Sequence, residues 1–228
     1  GPAADRAAAV LGADGVAGRI VDPAFGASTG RQFRNSKAFA SIRSDGSVIS
    51  WGDAASGGNS TAVDFDGAGN NLTVKRLFST SAAFAAIRSD GSVVTWGAAA
   101  AGGDSAAVDF DGPQNNLAVT QIFSTSLAFA ALRSDGSVVT WGNAGAGGNA
   151  SAVDFNGPSN NLTVTDVVAT NSAFAALRSD GSVVTWGDWA YGGDLTGISL
   201  YGTGNTLTVT QVVSAGFGFA ALRSDGSV

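Results

Sequence analysis

Histidine, cysteine, methionine and glutamate are all missing from the 228 residues, so every one of the 18 acidic side chains is an aspartate. Without histidine no side chain shuttles protons near neutral pH and no imidazole binds a metal. Without cysteine there is no thiolate nucleophile, zinc knuckle or disulfide. Lysine occurs only at Lys37 and Lys75. A Ser–Lys or Asp–Asp pair is the catalytic apparatus that remains, and the expectation is a protein that is not an enzyme and holds no cofactor. The net charge of −6 disfavours nucleic acid, whose binding rests on lysine and arginine neutralising phosphates, and anionic membrane surfaces. A run of about 18 apolar residues is also lacking, so no transmembrane helix is expected. A cysteine-free chain suits a reducing cytosol or a bacterial exterior, and an extracellular or cell-surface location is the expectation. Residues 1–3, opening Gly1-Pro2, read as a protease-cleavage scar or tail, which leaves 4–228 as a single domain.

What is present is a repeat. The string Phe-Ala-(Ala/Ser)-(Ile/Leu)-Arg-Ser-Asp-Gly-Ser-Val begins at Phe39, Phe84, Phe129, Phe174 and Phe219, each 45 residues after the last. Trp-Gly follows at Trp51, Trp96, Trp141 and Trp186, again 45 apart. A Gly-Gly pair, a Val-Asp-Phe run and a Leu-(Thr/Ala)-Val segment complete the unit. Such a period marks an array of identical supersecondary units.

Each unit reads as four short strands. In the second copy Phe84 to Arg88 and Ser92 to Trp96 flank Ser-Asp-Gly, and Asp-Gly is a strong signal for a tight hairpin. Ala107 to Phe110 is a third β-rich run and Leu117 to Phe123 an alternating fourth. Four strands in about 45 residues, in tandem, predict the blades of an all-β propeller. The alanine-rich strand is expected innermost, where space near an axis is tight, and the Val-Val-Thr-Trp strand farther out. Counted from Ala4, five units of 45 fill the 225 residues to Val228, so the expected fold is a five-bladed β-propeller of four-stranded antiparallel blades. Val228 falls midway through a hairpin. Ala8-Ala9-Val10-Leu11-Gly12 stands in for the missing half, Leu11-Gly12 taking the place of Trp-Gly, and the degenerate segment 4–38 is expected to close the ring and remove two sheet edges. A monomer is the expected state, with a strand-exchanged oligomer as the alternative.

Phe129-Ala130-Ala131-Leu132, Asp135-Gly136, Val138-Val139 and Trp141-Gly142 together resemble the repeat of the regulator of chromosome condensation family. The resemblance implies a propeller of four-stranded blades and a protein-binding role; members of the family more often have seven blades than five. Phe129 stands where the eukaryotic proteins often have histidine, and Gly102-Gly103-Asp104-Ser105 replaces the usual Gly-Gln-Leu-Gly. Nucleotide exchange and chromatin binding are therefore not carried over. Secreted bacterial propellers of the same superfamily, one of them an inhibitor of β-lactamases, are the nearer analogy, at the level of fold alone.

Three groups of residues are candidates for a site. Arg43, Arg88, Arg133, Arg178 and Arg223 recur once per unit and would form a ring of guanidinium groups, either an anion site or groups engaged locally, paired with Asp45, Asp90 and their equivalents or stacked on tryptophan. Asp64, Asp66, Asp109 and Asp111 suggest calcium loops, but an Asp-Gly turn accounts for the same residues without an ion. Trp189, Tyr191 and Tyr201 break the pattern of the fourth copy, and loop aromatics of this kind suit a protein or sugar contact; the alternative is packing on the N-terminal segment. The expected function is a non-catalytic scaffold or protein-binding propeller, an engineered or excised module of a bacterial secreted or surface protein. A lectin-like or inhibitor-like binder, with a protein or glycan as partner, is the second reading, and a fragment that self-assembles is the third.

Overall fold

A computed structural model describes residues 33–228, and the part of the expected closing segment before Phe33 lies outside them. The local rule is clearest in the second unit. Asp90 accepts the Ser92 N–H at 2.9 Å and Gly91 donates to the Arg88 carbonyl at 3.0 Å with φ at 84°. That left-handed turn folds β4 (Ala83–Arg88) back on β5 (Val93–Gly97). β3 (Val74–Ser79) pairs antiparallel with the other edge of β4, with a bulge between Val74 and Arg76. The same sheet recurs as β6 (Val119–Ser124), β7 (Ala128–Arg133) and β8 (Val138–Gly142), and as β9 (Val164–Ala169), β10 (Ala173–Arg178) and β11 (Val183–Gly187). The described residues begin with the pair β1 (Ala38–Ile42) and β2 (Val48–Gly52) and end with the pair β12 (Val209–Ser214) and β13 (Phe219–Arg223).

Two expectations are corrected. The third run, Ala107 to Phe110, is not a strand: the complete sheets have three strands. The Asp104 carboxylate accepts the Ala106 N–H, Val108 donates to the Ser105 carbonyl, and the Asp109 carboxylate accepts the Gly112 N–H. These turns curl the run away from the ladder, and Val108 and Phe110 pack on the next unit instead. The alanine-rich strand, in turn, is the middle strand of each three-stranded sheet and not the innermost. Consecutive sheets meet chiefly along β3, β6, β9 and β12.

The reason for the alanines lies in the packing. Ala83, Ala85 and Ile87 pack forward on Val119, Ile122, Phe129 and Trp141, while Phe84 and Ala86 pack back towards Ala38. A middle strand buried on both faces takes small residues so that both neighbours can approach.

Three joints recur between units. Trp96, Trp141 and Trp186 each donate the indole N–H to the carbonyl of Gly57, Gly102 and Gly147 in the unit before, at 2.9–3.0 Å. Phe65, Phe110 and Phe155 meet those indoles edge-on, with ring centroids 5.1 Å apart. A chain of backbone bonds then runs Ser36 to Ser81 to Ser126 to Asn171 to Gly216, each N–H donating to the carbonyl of the next. The receiving glycine has no room for a side chain: Gly102 caps the 3₁₀ turn Ala99–Ala101 at φ 93°, and a Cβ there would lie 2.6 Å from Phe129. In the first sheet the equivalent residues, Phe39 and Trp51, are each 49% exposed, and the positions one period before Gly57 and Phe65 fall outside the described residues.

Candidate functional site

The five arginines are placed one per hairpin, and the three central ones tie neighbouring units together. Arg88 Nε donates to Ser92 Oγ at 2.7 Å, and its terminal nitrogen donates to the Asp64 carbonyl at 3.2 Å. Arg133 reaches the Asp109 carbonyl at 3.0 Å and Arg178 the Asp154 carbonyl at 2.9 Å. Arg43 touches Ser47, and Arg223 touches the Val228 carbonyl. The carboxylate of the turn is satisfied from elsewhere: the Ser47 hydroxyl and N–H hold Asp45 below its ordinary pKa, and Ser227 does the same for Asp225.

Asp64 and Asp109 each accept a glycine N–H three residues on, Gly67 and Gly112, at 2.7 Å. Asn70, Asn115, Asn160 and Asn205 follow in the left-handed region, with φ between 49° and 53°, which asparagine tolerates better than most residues. Asp66 and Asp111 lie inside the first of these turns, and their carbonyls accept the Leu72 and Leu117 N–H at 3.0 and 2.9 Å, so backbone turns run through the whole Asp-x-Asp-Gly and Asn-Asn pattern. Among the described residues no group of three carboxylates is arranged to hold a metal ion.

The fourth copy differs in both aromatic loops. Trp189 begins the 3₁₀ turn Trp189–Tyr191 and is 80% exposed, where the other copies have alanine. Tyr191 stacks on Phe217 at 5.3 Å, and Phe217 is itself 70% exposed. Tyr201 lies apart from these three: it packs among Leu195, Leu200 and Val183, and its hydroxyl accepts the Val183 N–H at 3.0 Å. Phe217 was not singled out from the sequence, although one, two and three periods earlier its position holds Ser172, Leu127 and Ala82. Also missed were Thr80, Thr125 and Thr170, fully buried threonines that bond the carbonyls closing the 3₁₀ turns Ala99–Ala101, Ala144–Ala146 and Trp189–Tyr191.

Polar chemistry is otherwise thin. Asp166 in β9 is the exception, a partly buried carboxylate whose pKa is raised by desolvation and whose oxygen accepts the Val167 N–H. Its equivalents in the other copies are Arg76, Gln121 and Gln211, so no paired acid and base are assembled there.

Antiparallel sheets repeated every 45 residues, packed one against the next and, among the described residues, accompanied by no helix beyond short 3₁₀ turns, define an all-β repeat protein of the propeller class. The chain is similar in fold to Prp20p from Saccharomyces cerevisiae, at 17% identity and a TM-score of 0.52 over 83% of this chain and 49% of that one. It is also similar to the ectodomain of the receptor kinase CR4 from Physcomitrella patens, with 17% identity and a TM-score of 0.49 over 84% and 48% of the two chains. The CRINKLY WD40 ectodomain of the receptor kinase ACR4 from Arabidopsis thaliana matches at 15% identity and a TM-score of 0.47, over 82% and 60%. This chain thus spans about half to three-fifths of the length of these structures. No protein-family model matches it, and no curated protein is similar to it in sequence.

Proposed function

We propose that the protein is a non-catalytic propeller scaffold that binds other proteins. The observation that carries this reading is the aromatic patch of the fourth copy. Trp189 and Phe217 project into solvent at positions where otherwise near-identical units have small or unrelated residues. A tryptophan 80% exposed buries little surface of its own, and exposed aromatics on loops suit a partner's surface. Prp20p, similar in fold, has binding properties towards Gsp1p and histones. Binding of proteins is the part carried over, and neither partner is.

The rest of the reading is a ring of five blades closed within one chain, belonging to a bacterial secreted or surface protein or engineered from one. A glycan partner is the second reading, favoured by the same ring faces, since sugars stack on exposed aromatics. Screening arrays of immobilised peptides and of glycans with the wild type and with Trp189→Ala separates the two. Signals on peptides that fall in the variant support the protein-binding reading. Signals confined to glycans replace it with the lectin-like one, and signals that ignore Trp189 remove the patch from either.

A further inference from the structure

The three-strand sheets leave a feature that four-stranded blades would have hidden. In the third sheet Arg133 N–H bonds the Ser137 carbonyl and Asn143 N–H bonds the Leu127 carbonyl, both at 2.9 Å. With Leu132 opposite Val138 and Ala130 opposite Thr140, the alternation of an antiparallel ladder points the N–H and C=O of Val138 and Thr140 away from β7. The second sheet has the same register, with Val93 and Thr95 facing outward. Among the described residues no backbone group pairs with these four.

Each edge opens into a groove. One of about 360 Å³ runs along Val138, Val139 and Thr140, between Ala107–Asp109 and Gly148–Ser151. The Thr140 hydroxyl accepts the Ala150 N–H at 3.1 Å, which fixes the far wall. The other, of about 350 Å³, begins at Val93 and is bounded by Asp90, Phe110, Asp111 and Leu117.

The fourth copy shows what such an edge accepts. There Val183 stands where Val93 and Val138 stand, and its N–H is taken by the Tyr201 hydroxyl at 3.0 Å. An oxygen from outside the sheet thus completes this position. The residues at the place of Tyr201 in the second and third copies are Asp111 and Asn156, and among the described residues neither makes that bond.

We propose that the outer edges of β5 and β8 receive an extended, basic segment of a protein partner, which adds to each sheet as a fourth strand. The proposal rests on the protein-binding reading above and names the form of the partner. Outward N–H and C=O groups at alternate residues are what a peptide backbone pairs with. Asp90 and Asp111 line one groove and Asp109 the other, while Arg88 and Arg133 are already bonded to serine and to the preceding loop. Lysine or arginine on the incoming strand matches that excess of negative charge.

The test uses a synthetic peptide of alternating lysine and valine and a twin methylated on the alternate amides that would face the edge. Titration calorimetry is run on the wild type and on the double variant Asp111→Tyr/Asn156→Tyr, which copies the cap of the fourth unit onto the two open edges. The unmethylated peptide binds the wild type, and methylation weakens it at least about tenfold, the worth of one or two backbone bonds. The double variant keeps its melting temperature and loses affinity by a similar factor. Equal binding of the two peptides, undiminished binding to the double variant, or no binding overturns the proposal. Self-association of the protein alone, abolished in the double variant, also overturns it by giving the edges to a second copy. Peptide binding that ignores methylation but vanishes in Trp189→Ala would sink the edge site and leave the protein-binding reading standing.

Discussion

Replacing Thr125 with valine exchanges one hydroxyl for a methyl in a side chain with no exposed surface. The hydroxyl does two things: it donates to the Ala146 carbonyl at 2.9 Å and accepts the Ala128 N–H at 3.1 Å. The first bond anchors the 3₁₀ turn Ala144–Ala146 to its own sheet, and that turn leads to Gly147, whose carbonyl receives Trp186. Valine leaves both backbone groups without a partner, at about 1–3 kcal/mol each, so Thr125→Val is expected to destabilise by about 2–5 kcal/mol. Thr125→Ser keeps both bonds and removes a methyl, a loss of about 1 kcal/mol. For a chain of this length the valine variant should melt on the order of 10 °C lower. Urea unfolding followed by tryptophan fluorescence gives the comparison. If serine proves as harmful as valine, or worse, the hydroxyl is not what holds the turn and the reasoning about the joint is wrong.

Gly102→Ala should destabilise by about 2–4 kcal/mol, because φ is 93° and the new Cβ meets Phe129 at 2.6 Å; a thermal melt unchanged within error would contradict the joint geometry. Trp189→Ala should leave stability within about 0.5 kcal/mol, since the side chain is 80% exposed; a clear loss in the urea midpoint would mean that the patch is structural. Asp166 has its pKa raised by burial, so ionising it opposes folding, and its contribution to stability falls as pH rises through the shifted value. Asp166→Asn should therefore stabilise at pH 7 and lose that advantage near pH 3, and urea midpoints at the two pH values decide it. The turn aspartates act with the opposite sign: Asp45, Asp180 and Asp225 are held below their ordinary pKa, first of all by a serine hydroxyl. Their support is present above about pH 4 and is lost as pH falls through the depressed values. Ser182→Ala should accordingly weaken the protein at pH 7 and make less difference at pH 2.

The period and the hairpin were legible in the sequence because both depend on local chemistry: Asp90-Gly91 makes its turn from its own atoms. The strand at Val119–Ser124 was legible from alternation. The run Ala107 to Phe110 misled, since its β-forming valine and phenylalanine serve contacts with Trp141 in the next unit, and aspartates on either side bend the backbone. The place of the alanine-rich strand depends on which sheets flank it, which composition does not state. The arginines show the same limit: their recurrence was plain, but the partner of Arg133 is a backbone carbonyl 24 residues earlier. Of the site, Trp189 stood out by replacing an alanine common to the other copies, while Phe217 fell at a position that differs in every copy and the buried threonines were ordinary residues made special by their surroundings.

The claim that these sheets serve as a platform for an added strand is tested most directly by amide hydrogen exchange, residue by residue, with and without the lysine–valine peptide. The outward amides of Val93, Thr95, Val138 and Thr140 should exchange freely in the protein alone and become protected on peptide addition, while Val183, bonded to Tyr201, should be protected throughout. Unchanged exchange at all four amides, with protection appearing only around Trp189 and Phe217 or nowhere, would contradict it.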